Sequence, residues 1–387
     1  MSINNNDEVA LAIRVGVPHL ARVAQGVRDY ADNQTNWRFL ISPETHDLPP
    51  CSLRGWSGAG VIAQCNTPEE VHTLEDLGCP VVNISGALQQ SPFPRVINDY
   101  REFGRRSAHF LRKRGFRRFG FYGVSKVWYS EEIEKGFRET ISREGLAVNT
   151  LRSTSTMDAF PRWDHGQEEL EEWLLSQKPP FAVMAAHDPR ATMVIRACEK
   201  VGLEVPADVA VIGVNDDTVT CETCRPTLTS IRRGGHLVGR LAAETLHRLI
   251  QGFPSAQEQI VTPGRFMERE STRTLAIEHP SLVFAVDFVS SHFHEPIGVE
   301  QIALASGQSR RWLEGAFRRE LNCSPADYLK QERVKVAKET LRASPAIGRG
   351  ELAARCGFSG TRQLNAVFER ETGRSVKEYQ QSSRSSP

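Results

Sequence analysis

No run of about 18 apolar residues occurs in the 387-residue sequence, and a helix that spans a bilayer needs roughly that length. Membrane insertion is not expected. The opening stretch MSINNNDEVALAIRV lacks a basic segment, an apolar core of leader length and a small-residue cleavage site, so the chain reads as one kept in the cytoplasm. Metal chemistry is thinly supplied. Of eight cysteines only Cys221 and Cys224 are close, in CETC, and no second CxxC or HxxxH completes a four-ligand zinc site. Free thiols in a reducing compartment, no metal and no cofactor are expected. Phosphate loops are missing as well. There is no Walker sequence and no GxGxxG after the first strand, and GGHLVG lacks the preceding strand and the Lys-Ser/Thr pair. With no nucleophile elbow and no recognisable set of carboxylates and histidines, nothing specifies an enzyme.

What is present is an uneven charge. From Ser281 onward there are 16 Lys+Arg against 12 Asp+Glu, a net of +4; the rest holds 32 basic and 35 acidic residues, a net of −3. A basic tail permits phosphate binding. Residues 9 to about 275 alternate apolar strand-like runs (VALAIRV, AGVIAQ, PVVNIS, FGFYGV, FAVMAA, VAVIGV) with helical stretches, several ending in Gly. That alternation implies parallel sheets with right-handed crossovers, in two doubly wound lobes. The polar stretch MERESTRTLAIEHPSL precedes an all-helical tail. The expected division is a ligand-sensing domain over 1–275, a linker over 276–283 and a helical domain over 284–387.

The tail repeats itself. Ile302-Ala303, Gly307, Ser309, Leu313, Phe317, Glu320, Pro325 and Tyr328 return as Leu352-Ala353, Gly357, Ser359, Leu364, Phe368, Glu371, Val376 and Tyr379, at an offset of 50 and then 51 residues. A small residue inside one helix and Gly at the turn is helix-turn-helix chemistry. Behind each turn a helix presents an outward polar face. The first supplies Ser309 as N-cap, with Arg310, Arg311, Glu314 and Arg318; the second supplies Thr361, Arg362, Gln363 and Arg370. Arg and Gln make paired hydrogen bonds to guanine and adenine edges in the major groove. Two such units can enter successive grooves about 34 Å apart.

In open parallel sheets the loops after strand C-termini line the cleft. Here those loops are VPHL, Gln64, SKVWY with Trp128 and Tyr129, AHDPR with His187, Asp188 and Arg190, VNDD with Asn215, Asp216 and Asp217, and Asp99 in INDY. Carboxylates, a guanidinium, an amide and a ring suit a sugar: charged groups bind hydroxyl pairs and a ring stacks on the apolar face.

The tail resembles the DNA-binding domain of the arabinose-regulator (AraC) family over about 100 residues, through its IA…G.S…L…F and LA…GF…L…F signatures. It departs from that family at Val376, where Pro is usual, at Gly360, where a capping Ser is usual, and at Ala366, where Arg is common. The stretches INDYREFGRRSAHFLRKRGFRRFGF, AAHDPRATMVIRACEKVGLEVPADVAVIGVNDD, PTLTSIRRGGHLVGRLAAETLHRLIQG and RFMERES resemble the sensor domain of the lactose/galactose-repressor family, related to periplasmic sugar-binding proteins. Ile133 stands where sugar-binding relatives often carry Arg. The combination is similar to the xylose-operon regulator family. The resemblance implies an α/β periplasmic-binding-protein-like sensor of two doubly wound lobes, followed by an all-α domain with two helix-turn-helix units. It implies a sugar-responsive transcription activator of sugar-catabolic genes. Its expected partners are double-stranded DNA, D-xylose or a related sugar, RNA polymerase and a second copy of the chain. The alternative readings are a regulator of the same architecture that senses another pentose, a hexose or a non-sugar ligand, and then a solute-binding protein or an enzyme fused to a regulatory tail.

Overall fold

The computed structural model describes residues 7–42, 47–153, 167–274, 279–321, 323–344 and 346–384. It forms two compact units: the first holds residues up to Thr274 apart from Lys113–Gly115, which group with the second unit that starts at Leu275.

The first unit opens with β1 (Glu8–Ala12), α1 (Pro18–Gln34), β2 (Arg38–Leu40), β3 (Gly60–Ala63), α2 (Pro68–Glu75), β4 (Val81–Asn83) and β5 (Arg95–Asn98). It continues through α3 (Tyr100–Lys113), β6 (Phe119–Val124), α4 (Trp128–Ser142), β7 (Val148–Ser153), α5 (Gln167–Leu175) and β8 (Phe181–Ala185). Then come α6 (Asp188–Lys200), β9 (Val209–Asn215), α7 (Thr218–Thr223), β10 (Thr229–Arg232), α8 (Gly235–Ile250), β11 (Glu258–Val261) and β12 (Phe266–Met267).

These strands build two six-stranded sheets, ordered β11-β5-β4-β3-β1-β2 and β12-β10-β9-β8-β6-β7. Every pairing is parallel except β12 with β10. The six strands read from the sequence are β1, β3, β4, β6, β8 and β9, all internal. In β8 and β9 every residue is buried, as expected of strands covered on both faces. The structure adds β2, β5, β7, β10, β11 and β12. In the first lobe α1 and α8 cover one face of the sheet, packed on Val9, Leu11, Ile62, Val82 and Val96. They touch backbone to backbone: a Cβ on Gly26 would meet the His236 carbonyl and one on Gly239 the Val23 carbonyl, both at 2.0 Å. Glycine is needed there for close approach.

The chain crosses between the lobes three times, from β5 into α3, from β10 into α8, and from β11 into β12. The crossings lie side by side. Asp99 N–H donates to the Val261 carbonyl (2.9 Å), Gly234 N–H to Asn98 Oδ1 (3.0 Å) and Gly264 N–H to the Arg232 carbonyl (2.8 Å). Arg106 adds bonds to the carbonyls of Pro263 and Gly264.

In the second unit α9 (Pro280–His292) begins inside the stretch 276–283 expected to be linker; 276–278 lie outside the described residues. The helices α10 (Val299–Ala305), α11 (Arg310–Ala316), α12 (Pro325–Ala343), α13 (Arg349–Arg355), α14 (Thr361–Thr372) and α15 (Val376–Arg384) follow. Two cores form. Ile302, Ala303, Leu313 and Phe317 pack with α9 and with Leu329 of α12. Leu352, Ala353, Leu364 and Phe368 pack with Val334, Ala337 and Leu341, further along α12. The repeated tyrosines match too: Tyr328 meets Phe317 edge-on at 5.6 Å, and Tyr379 meets Phe368 edge-on at 5.5 Å. Val376, at the usual Pro position, is fully buried in the second core.

Candidate functional site

The two lobes of the first unit are clasped on either side of their cleft. Trp128 and Tyr129 N–H, at the start of α4, donate to the carbonyls of Ala87 (3.0 Å) and Gly86 (2.9 Å) in the other lobe. Arg22 of α1 reaches across to the carbonyls of Asn215 (2.8 Å) and Asp216 (3.1 Å). Those two residues hold positive φ values of 123° and 52°, uncommon for side-chain-bearing residues and held by their surroundings.

The carboxylates expected to touch ligand are already engaged. Ser230 Oγ donates to Asp188 Oδ1 (2.6 Å) and Asp217 N–H to Oδ2 (2.8 Å). Burial pushes the Asp188 carboxyl up to about 7. Arg190, two residues on in the same turn, points elsewhere: it turns to the Ser153 hydroxyl and carbonyl and lies over the Tyr122 ring. Asp216 is fully buried between Arg232 (2.6 Å) and Arg269 (2.9 Å). Asp99 Oδ1 accepts from Glu102 N–H in the first turn of α3. All three stand at strand ends, and all three hold the loops there.

Other groups have unused capacity. Asn215 Oδ1, His19 Nδ1, Arg22 Nε and Arg233 Nε are buried without a hydrogen-bond partner among the described residues. Arg233 lies over the rings of Tyr100 (5.6 Å) and Tyr129 (5.8 Å). His187 accepts the Arg190 N–H as cap of α6. Its imidazole is pushed down to about 3, by burial first and then by Arg190 and Arg233. His19 falls well below the usual imidazole range through burial and the charges of Arg233, Arg22 and His187. Both rings are neutral and keep one donor and one acceptor nitrogen. Trp128 is half-buried, edge-on to Tyr100 and under Arg95. Gln64 is half-buried at the end of β3. Ile133 is fully buried in the hydrophobic interior beneath α4.

The loop VPHL supplies His19, but the strand-end pattern does not point to Arg22, Tyr100 or Arg233. Arg233 directly follows β10, a strand that no apolar run marks in the sequence, and sits on a crossing between lobes. The doublet IRRGG, two arginines before a glycine pair, was the available signal.

In the second unit both turns use glycine at positive φ, Gly307 at 65° and Gly357 at 72°. Ser309 Oγ accepts from Trp312 N–H and caps α11; Gly360 offers no side chain to α14. Ser309, Arg310, Arg311, Arg318, Thr361, Arg362, Gln363 and Arg370 are exposed and Glu314 is half-buried. Their engagement differs. Arg310 is paired with Glu314 and Glu300. Gln363 Oε1 accepts from Ser359 N–H and Oγ, and Arg370 lies against Glu371. Arg311, Arg318 and Arg362 form no ion pair or side-chain hydrogen bond among the described residues. Among those residues no group of three or more His, Cys, Asp or Glu is placed to hold a metal, and no helix is long and apolar enough to cross a membrane.

A lobed sensor with a polar cleft, joined to a duplicated helix-turn-helix with exposed arginines, defines a DNA-binding transcription regulator. The comparisons agree. Residues 108–272 match the periplasmic binding protein-like domain and residues 302–382 a helix-turn-helix domain. The chain is 28% identical over 368 residues to the xylose operon regulatory protein of Escherichia coli K12, covering 92% of this chain and 93% of that protein. It is 30% identical over 270 residues to the transcriptional regulator DegA of Bacillus subtilis, covering 67% of this chain and 78% of that one. The structure of the xylose-binding transcription activator xylR superposes with a TM-score of 0.63 at 26% identity, over 97% of this chain and 98% of that chain. The chain belongs to the family of transcription regulators that join a periplasmic-binding-protein-like sensor to a C-terminal helix-turn-helix domain, the family of the xylose operon regulatory proteins.

Proposed function

We propose that this protein is a cytoplasmic, sugar-responsive transcription activator. In this reading residues 1–275 sense the ligand and residues 284–387 read DNA, and the protein acts as a homodimer that works with RNA polymerase. It performs no catalysis. The observation that carries the DNA half is the pair of structurally matched reading helices, each presenting an exposed arginine (Arg311 and Arg362) without an ion pair among the described residues. The sugar half rests on the clasped cleft, where neutral His19 and His187 lie near Arg233, Arg233 lies over Tyr100 and Tyr129, and Asn215 Oδ1 has no hydrogen-bond partner among the described residues. Asp188, Asp216 and Asp99 hold this surface in place, and Arg190 and Trp128 border it. D-xylose is the first candidate, because the relatives with this domain order carry xylose in their names. The test is selection of bound sequences from randomised duplex DNA by the full chain, with and without D-xylose and other pentoses. Enrichment of paired sites with a ligand-dependent yield is expected. No enrichment under any condition defeats the proposal.

A further inference from the structure

The cleft has a surplus of positive charge. Arg233 makes no ion pair among the described residues, and its Nε is buried without an acceptor. Its charge lies over the faces of Tyr100 and Tyr129 and meets the neutral Tyr100 hydroxyl, with no carboxylate paired to it among the described residues. The carboxylates beside Arg22 are used elsewhere: Asp216 by Arg232 and Arg269, Asp188 by Ser230 and the Asp217 N–H, and Asp217 by the Thr220 N–H. Arg22 stands beside this group with its own Nε open. Both neighbouring imidazoles, His19 and His187, are held neutral in part by Arg233 itself. A half-buried guanidinium without a counter-ion is costly, and a bound carboxylate or phosphate oxygen would offset that cost. A neutral sugar offers only hydroxyl dipoles to the same group.

We infer that the cleft takes an acidic sugar, whose anionic group, a carboxylate or a phosphate ester, is held by Arg233 while its hydroxyls reach His19, His187 and Asn215. The inference rests on the sugar reading above and adds the charge. It is tested by titration calorimetry and thermal shift on the full chain with D-xylose, D-xylonate, D-xylose 5-phosphate and inorganic phosphate. Wild type is compared with R233Q and R233K, each first shown to unfold at the wild-type temperature without ligand. One of the two acids should bind at least about tenfold more tightly than D-xylose, and the better of the two identifies the anionic group. R233Q should erase that preference, a relative loss of about 10- to 100-fold for one charged hydrogen-bonding contact, and R233K should keep part of it. D-xylose binding more tightly than both acids, or an acid preference that survives R233Q, overturns the inference and leaves the sugar reading standing. Inorganic phosphate matching the sugar phosphate, with no preference for D-xylonate, marks an adventitious ion only and also overturns it. A folded protein that responds to none of the probes overturns the inference and removes D-xylose as the candidate sugar.

Discussion

In the sensor Arg232 and Arg269 are locked on a fully buried Asp216, and Arg190 is 3% exposed against Ser153. In the second unit Arg311, Arg318 and Arg362 stand in solvent with no ion pair among the described residues. The same side chain is used in opposite ways. A buried guanidinium is held by its partners and fixes the backbone at the strand ends, so the cleft is shaped before a ligand arrives. An exposed one costs little to keep unpartnered in water and is available to a polyanion, with an affinity that falls as salt rises. The two reading helices show the same choice on a smaller scale. Their cores are duplicates, but Arg310 and Gln363 are engaged within the protein while Arg311 and Arg362 are not. The duplication conserves packing and leaves readout free to diverge.

Removing a buried partner should give the largest effect. Asp216→Ala leaves Arg232 and Arg269 without their shared carboxylate and should destabilise the sensor by about 3–5 kcal/mol in a denaturant titration. A loss below about 1 kcal/mol would show that the buried network is not structural. The next effect is on pH. The folded Asp188 carboxyl is raised to about 7, against about 3.9 in an unfolded chain. The unfolded state therefore loses its proton first as pH rises. Stability from this group is full below about pH 4, declines between about 4 and 7, and stays low above. The sensor's melting temperature should fall from pH 5 to pH 8 in wild type and stay flatter in Asp188→Asn, where the amide can still accept from Asp217 N–H and donate to Ser230. Equal slopes in the two proteins contradict the assignment.

Smaller effects belong to the exposed arginines. Arg311→Ala and Arg362→Ala should each weaken binding to a selected DNA site by about 1–3 kcal/mol, with less change on random DNA. Arg310→Ala should do less, because that side chain is held by Glu300 and Glu314. Gel-shift titrations that rank Arg310 first would reverse the comparison. The smallest change concerns the missing cap. A Cβ on Gly360 meets nothing within 4 Å, and its φ of 164° is ordinary extended backbone. Gly360→Ser should stabilise α14 by about a few tenths of a kcal/mol, seen as a slightly higher melting temperature.

The strands legible in the sequence were those covered on both faces, because burial demands unbroken apolar runs such as FAVMAA and VAVIGV. The strands missed carry polar residues for local reasons. Arg95 in β5 is buried because Glu258 of the neighbouring β11 pairs with it, a match across 163 positions that no local pattern reveals. The tail was legible because it is written twice. In the cleft, sequence located the strand-end loops but not the direction of each side chain. Asp188 and His187 are adjacent, yet one is engaged by Ser230 and Asp217 while the other caps the start of α6. That outcome depends on β10, some forty residues on, and on hydrogen bonds that only the folded lobes create.

Three parallel passages of chain between the lobes restrict mechanical freedom. A single tether would let one lobe swivel, slide and tilt against the other. Three tethers joined by the Asp99–Val261, Gly234–Asn98 and Gly264–Arg232 bonds suppress swivelling and sliding and leave a bend about one line. Work done by a ligand drawing the lobes together is thus channelled into one angle. The mechanical equivalent is a lever with a fixed axis, an arrangement that favours rotation of one lobe over a general loosening or tightening.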